Sequence, residues 1–122
     1  SSAKSVFQFD VQGSVAKSTH AGLPWLAWLR DQPAVAARLH CWPFDGLVVP
    51  PGRSVIAEVF PSVLRRRYPR ESRTLDEHDA WCVARWLQQT DRQGSVTRYL
   101  EPPLTAAERR VAALEGWILG IC

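Results

Sequence analysis

Acidic residues and a histidine open the segment LDEHDAWCVARWL (75–87), and their types and spacing could support chemistry. At helical spacing the apolar face of this segment consists of Ala80, Val83, Ala84 and Leu87. Asp76 and Asp79 stand one turn before the first two of these residues, so both extend that face at its N-terminal end. A carboxylate that points toward a core needs a partner, and a divalent metal ion is one such partner.

Asp76, Asp79 and His78 at the start of this helix each have a structural and a functional explanation. Asp76 lies in the first turn, where the helix macrodipole and free N–H groups explain an acid structurally. Asp79 lies past that turn, so its direction favours a functional role. His78 lies beside the apolar face, and we interpret it as a surface residue near the helix cap or as a proton shuttle.

Glu58 is the second carboxylate in an unexpected place. In the segment VIAEVF (55–60), alternation puts Glu58 on one strand face with Ile56 and Phe60. A lone carboxylate among apolar neighbours is costly unless it is paired, hydrogen-bonded or metal-bound. Pairing with an arginine and an exposed strand edge are the structural alternatives. Asp45 precedes Gly46 and is explained as a turn residue, with a metal-site role as the alternative.

A strand carboxylate and a helix carboxylate together are typical of metal-dependent phosphoryl-transfer sites. We therefore predict that Glu58 and Asp79 are catalytic and bind Mg²⁺ or Mn²⁺, with Asp45, Asp76 and His78 in secondary roles. Binding should be weak, because two carboxylates are fewer than a tight site for a hard cation uses.

Basic residues are concentrated in the segment RRRYPRESR (65–73), within a chain of net charge +3. The guanidinium group binds phosphate in a bidentate manner, so this segment is a candidate nucleic-acid contact. The candidate residues are Arg65, Arg66, Arg67 and Arg70. The alternative is a solvated connection whose charge is balanced by nearby acids.

Strand and helix signals alternate along the chain, which favours an α/β fold. Strands are predicted at Ser5–Val11 and Ser54–Pro61, with a loop at QGSVAKSTHAG (12–22) between them. A helix is predicted over LPWLAWLRDQ (23–32), with Pro24 in its first turn.

Two further helices carry clear start signals. Thr74 and Glu77 form a capping box that begins a helix running to about Gln89. Thr105 and Glu108 form another, and Gly116 should end the helix that follows.

Composition sets the broad class of the protein. The chain has 122 residues, 46% of them hydrophobic, which suits one domain over residues 1–122. It has no signal-peptide pattern and no apolar run near the roughly 18 residues of a membrane span. We therefore expect a soluble, cytoplasmic protein. The three cysteines are widely spaced and form no CxxC pair, so reduced structural thiols are predicted.

Several motifs occur in one order along nearly the whole chain. They are SVFQFDVQGSVAKSTHAG, WPFDG, EVFPS, DEHDAWCVARWL and EGWILG. This series resembles an uncharacterised bacterial family of predicted RNase H-like nucleases, a domain of unknown function distantly similar to RuvC-type resolvases. The resemblance implies an RNase H-like mixed sheet flanked by helices and metal-dependent phosphodiester hydrolysis. It matches Glu58, Asp79 and Asp45 to acidic positions of the family motifs.

Two departures from the family pattern affect these expectations. Family members begin with a strand that carries an Asp-Gly-type motif, and no such region precedes Ser5. We therefore expect the C-terminal part of an RNase H-like domain without its N-terminal strands, with low nuclease activity. We expect either a missing N-terminal segment or a homo-oligomer that completes the sheet. Ala16 also stands where relatives tend to have glycine, which weakens any role for the first loop.

A different class of function fits the six tryptophans of the chain. Tryptophan on a surface is typical of an interface. The alternative to a nuclease is therefore a non-catalytic module that binds a partner or nucleic acid and assembles through an apolar, tryptophan-rich surface. A tryptophan-rich core is the structural explanation.

Overall fold

The structure is a computed structural model that describes residues 15–121. The chain divides into two compact units, Ser1–Leu39 and His40–Cys122. Helices hold 53% of the described residues, and a two-stranded parallel sheet accompanies them, so the fold mixes helix and strand as the sequence predicts. No helix in this part of the chain is long and apolar enough to cross a membrane. The predicted strand at Ser5–Val11 lies outside the described residues, and the single-domain organisation stays a prediction.

The first unit contains α1 (Ala16–Asp31) and α2 (Pro33–Ala36). The predicted loop over residues 12–22 is wrong from Ala16 onward, and Pro24 lies inside α1 rather than in its first turn. The segment predicted as a loop contains Gly22, but one glycine inside a helix costs only about 1 kcal/mol of helix stability. The neighbouring alanines and lysine are good helix formers and offset that cost. None of the residues of α1 is buried.

The second unit contains two strands and four helices. They are β1 (Leu39–Cys41), β2 (Ser54–Ile56), α3 (Ser62–Arg65), α4 (Leu75–Arg92), α5 (Val96–Leu100) and α6 (Ala106–Glu115). The Trp42 N–H donates to the Ile56 carbonyl at 2.9 Å beside the parallel pair. The predicted strand to Pro61 is too long, because beyond Ile56 the chain makes a single bridge, from Val59 to Leu119.

Both predicted capping boxes are present. The Glu77 N–H donates to Thr74 Oγ1 at 3.3 Å, and the Thr74 N–H donates to Glu77 Oε2 at 2.8 Å. Thr105 and Glu108 repeat this exchange at the start of α6. Gly116 ends α6 with φ +87°, a left-handed conformation that favours glycine. Side-chain chemistry local to each helix end therefore sets these boundaries.

The core of the second unit consists of Trp42, Leu64, Cys82, Trp86 and Leu119. The buried residues of α4 are His78, Cys82, Trp86 and Thr90. The predicted apolar face of this helix is partly right, since Val83 and Leu87 pack against the core, whereas Ala80 and Ala84 are exposed. Burial of a tryptophan removes far more apolar area from water than burial of two alanines, so Trp86 decides which side of α4 faces inward.

Candidate functional site

Asp79 forms a bidentate ion pair with Arg65, the last residue of α3. Arg65 Nε donates to Asp79 Oδ1 at 2.7 Å, and Arg65 Nη2 donates to Oδ2 at 2.5 Å. These hydrogen bonds lower the pKa of Asp79 and raise that of Arg65. Both side chains remain partly exposed, at 21% for Asp79 and 42% for Arg65. Asp79 therefore has a structural partner that accounts for its direction.

The pairing bears on the predicted metal site. Both carboxylate oxygens of Asp79 accept hydrogen bonds from Arg65, so a metal ion would compete with a guanidinium for them. Glu58 is exposed, and so is its predicted face neighbour Phe60. The expectation of a costly carboxylate in apolar surroundings is thus wrong. Within residues 15–121, no group of three or more His, Cys, Asp or Glu side chains could hold a metal ion.

His78 and Asp76 have opposite environments. His78 is buried, so its interpretation as a surface residue is wrong. Its Nε2 donates to the Arg65 carbonyl at 3.2 Å, and Cys82 Sγ lies 3.4 Å from the same nitrogen. Burial raises the pKa of the Cys82 thiol, which keeps it protonated at neutral pH and unsuited to nucleophilic attack. Asp76 is exposed in the first turn of α4, so it does not extend a buried face.

Asp45 has the turn role that the sequence predicts. Its Oδ2 accepts from the Cys41 N–H at 2.8 Å, and its own N–H donates to the Cys41 carbonyl at 2.9 Å. The Gly46 N–H donates to the Pro43 carbonyl at 2.9 Å. These contacts hold the end of β1 in its turn. Cys41 and Cys82 are free thiols, as predicted, whereas Cys122 lies outside the described residues.

The arginines between α3 and α4 do not share one environment. Arg66, Arg67 and Arg70 are exposed, and no carboxylate within the described range 15–121 forms an ion pair with them. Arg73 pairs with Glu71 at 3.1 Å. The Arg73 guanidinium also lies 4.1 Å from the centroid of the Trp81 ring, in cation–π geometry.

Trp81 connects this segment to the outer face of α4. Its ring meets Tyr68 edge-on at a centroid distance of 5.3 Å and remains 36% exposed. A shallow cavity of about 380 Å³ lies beside it, lined also by Ala84, Arg85 and Gln88. We call Arg66, Arg70, Arg73 and Trp81 the arginine–tryptophan surface. The sequence signal for the exposure of Trp81 is its position outside the predicted apolar face of α4.

Comparison of the chain with protein-family models, with curated proteins and with solved structures gives no match. The resemblance to RNase H-like nucleases therefore stays a prediction that rests on its sequence motifs.

Proposed function

We propose that this chain is a nucleic-acid-binding module that holds a single strand on the arginine–tryptophan surface. The observation that carries the proposal is the Arg73 guanidinium stacked at 4.1 Å on a Trp81 ring that stays partly exposed. Bases stack on exposed aromatic rings, and Arg73, which is itself paired with Glu71, packs on the Trp81 ring and holds it in place.

The segment that leads to Trp81 supplies the charge. Arg66 and Arg70 are exposed and free of ion pairs with any acid in residues 15–121. Arg65, in contrast, is bound to Asp79, so we assign it to the framework rather than to the phosphate contacts. Arg66 and Arg70 can therefore release counterions when they bind phosphate, whereas Arg65 is already neutralised by Asp79.

Salt dependence tests the phosphate contacts. We expect the Arg66→Ala, Arg70→Ala double variant to bind a fluorescent oligonucleotide with a shallower dependence of log affinity on log salt. The slope should fall by about 1.4, at roughly 0.7 per phosphate contact of a single strand. A double variant at Arg92 and Arg110, two exposed arginines elsewhere, is the control for net charge. Equal flattening in both double variants would contradict the assignment.

Trp81 gives a test that does not depend on charge. We expect Trp81→Leu to weaken single-strand binding about 5- to 150-fold, the equivalent of roughly 1–3 kcal/mol for one stacked base. The salt slope should stay unchanged, because the substitution removes no positive charge. Unchanged affinity would exclude Trp81 as a stacking platform.

An RNase H-like fold with hydrolysis at Glu58 and Asp79 is the proposal that the family resemblance carries. The Arg65–Asp79 ion pair favours binding over hydrolysis, because it neutralises one of the two proposed metal ligands. Cleavage of a labelled strand in Mg²⁺ or Mn²⁺, compared between wild type and Glu58→Gln, tests this proposal directly.

Self-association is a further proposal, and α1 supports it. Trp25 and Trp28 are 71% and 55% exposed, and Leu23 beside them is exposed as well. A second copy of the chain would remove this apolar surface from water. Light scattering across a dilution series should show a dimer or larger species, and a Trp25→Ser, Trp28→Ser variant should shift it toward monomer. A wild-type monomer at high concentration would refute this proposal.

A further inference from the structure

A second cavity lies beside the C-terminal half of α4 and against α5. Its volume is about 440 Å³, within the range of roughly 300–1,000 Å³ that is typical of small-molecule sites. The residues that matter here are Arg67, Tyr68, Trp86, Gln89, Arg98 and Tyr99. None of the described residues that line the cavity carries a carboxylate. Its walls are therefore rich in hydrogen-bond donors and lack negative charge.

Trp86 lines this cavity, and its buried indole N–H has no partner among the described residues. Trp86 is only 2% exposed, and its Nε1 is the one buried side-chain nitrogen or oxygen without a hydrogen-bond partner among residues 15–121. The ring has little freedom to turn, because Tyr99 packs edge-on at 5.0 Å and a Cβ at Gly120 would lie 3.4 Å from it. A buried unpaired N–H destabilises the fold unless something accepts from it.

Further donors surround Trp86. Gln89 Oε1 accepts from the Tyr68 hydroxyl at 2.5 Å, which leaves the Gln89 amide NH₂ available to a ligand. Arg67 is exposed and pairs with no acid in the portion of the chain that the structure describes. Arg98 supplies a second guanidinium, 5.5 Å from the Tyr99 ring. This set of groups suits a ligand that is anionic and rich in acceptors.

We propose that this cavity binds a small organic phosphomonoester. The phosphate accepts from Arg67 and from the Gln89 amide, and the wall formed by Tyr68, Trp86 and Tyr99 packs against the organic part. Two guanidinium groups and several neutral donors match the charge and the three terminal oxygens of a phosphomonoester better than they match a carboxylate. The cavity is also larger than a bare phosphate ion requires. The inference goes beyond the proposed function, since it concerns a small molecule and does not require Trp81.

Trp86 lines the cavity, so the signal of its indole N–H reports binding there. In a ¹H–¹⁵N spectrum of ¹⁵N-tryptophan-labelled protein, the signal lost in Trp86→Phe identifies this group. We expect titration with adenosine 5′-monophosphate to move that signal in a saturable way, and ribose 5-phosphate to move it as well. Adenosine and acetate should leave it in place. Inorganic phosphate should bind at least tenfold more weakly than the nucleotide.

Matched arginine variants complete the test. Arg67→Gln should weaken nucleotide binding at least tenfold, while Arg70→Gln, an equally exposed change of the same charge, should alter it less than twofold. An unmoved Trp86 signal, an equal response to adenosine or acetate, or an equal effect of the two variants would overturn the proposal. Equal affinity for inorganic phosphate would overturn it too. Trp81→Leu separates this result from the proposed function, because it should weaken strand binding about 5- to 150-fold without moving the Trp86 titration.

Discussion

Trp42 and Trp86 provide a matched pair of substitutions that tests the hydrogen bonding of the core. Both residues are 2% exposed and belong to the same buried cluster. Trp42 Nε1 donates to the Leu100 carbonyl at 2.8 Å, whereas Trp86 Nε1 has no partner within the described residues. Phenylalanine removes the N–H at both positions but leaves an orphaned acceptor at one of them only.

The expected free energies of unfolding follow from this difference. Loss of the larger ring should cost about 1–3 kcal/mol at either position, through lost burial and a residual cavity. Trp42→Phe also leaves the Leu100 carbonyl unpaired, which adds about 1–3 kcal/mol. Trp86→Phe removes an unpaired donor and adds no such cost. We therefore expect Trp42→Phe to be the more destabilising by about 1–3 kcal/mol.

Urea unfolding followed by far-ultraviolet circular dichroism measures both variants without relying on tryptophan emission. A lower midpoint at unchanged slope would show that Trp42→Phe changes stability and not the surface exposed on unfolding. The melting temperature should fall further in that variant as well, by roughly 4–8 °C for each kcal/mol. Equal losses in the two variants would refute the reasoning and show that Trp86 Nε1 has a partner in solution.

Three further predictions address the metal, the helix caps and pH. Calorimetry should detect weak Mg²⁺ or Mn²⁺ binding that Asp79→Asn abolishes, and identical binding would remove Asp79 from the site. Thr74→Ala and Thr105→Ala should each lower the unfolding free energy by about 1 kcal/mol, whereas Ser at either position should preserve it. Hydrogen bonds from backbone N–H groups lower the pKa of Glu77 and Glu108. Their charged forms therefore stabilise the fold above the unfolded pKa of about 4.3, and this contribution disappears as pH falls through the lower folded values. Melting curves of a Glu77→Gln, Glu108→Gln variant should thus trail wild type at pH 7 and converge with it in acid.

Part of this fold could be predicted from the sequence, because it depends on interactions between residues that are close together in the chain. A capping box needs only residues three apart, so Thr74 with Glu77, and Thr105 with Glu108, announce helix starts without knowledge of the rest of the chain. Gly116 likewise ends α6 because a left-handed residue favours glycine. The turn at Asp45 follows from the same local rules.

Which face of a helix or strand is buried was harder to predict than where that element lies in the sequence. The spacing of α4 allowed two faces, and only the packing of Trp86 and Cys82 into the core selects the one that carries His78 inward. The strand at Ser54 is shorter than its β-branched composition predicts, because a strand extends only while a neighbour pairs with it. Glu58 is exposed for the same reason, because it lies beyond the end of this short strand and not on a strand face among apolar residues.

The sequence by itself determined the starts of α4 and α6, the end of α6, the turn chemistry, the excess of arginine and the mixed use of helix and strand. Only the tertiary structure decided what each charged or aromatic side chain meets. Arg65 reaches Asp79 across 14 positions, and Trp42 reaches Leu100 across 58. Trp86 is 2% exposed, as Trp42 is, but its Nε1 meets no acceptor among the described residues. Such contacts depend on how separate segments pack together. The periodicity of one segment cannot predict which residue of another segment will contact it.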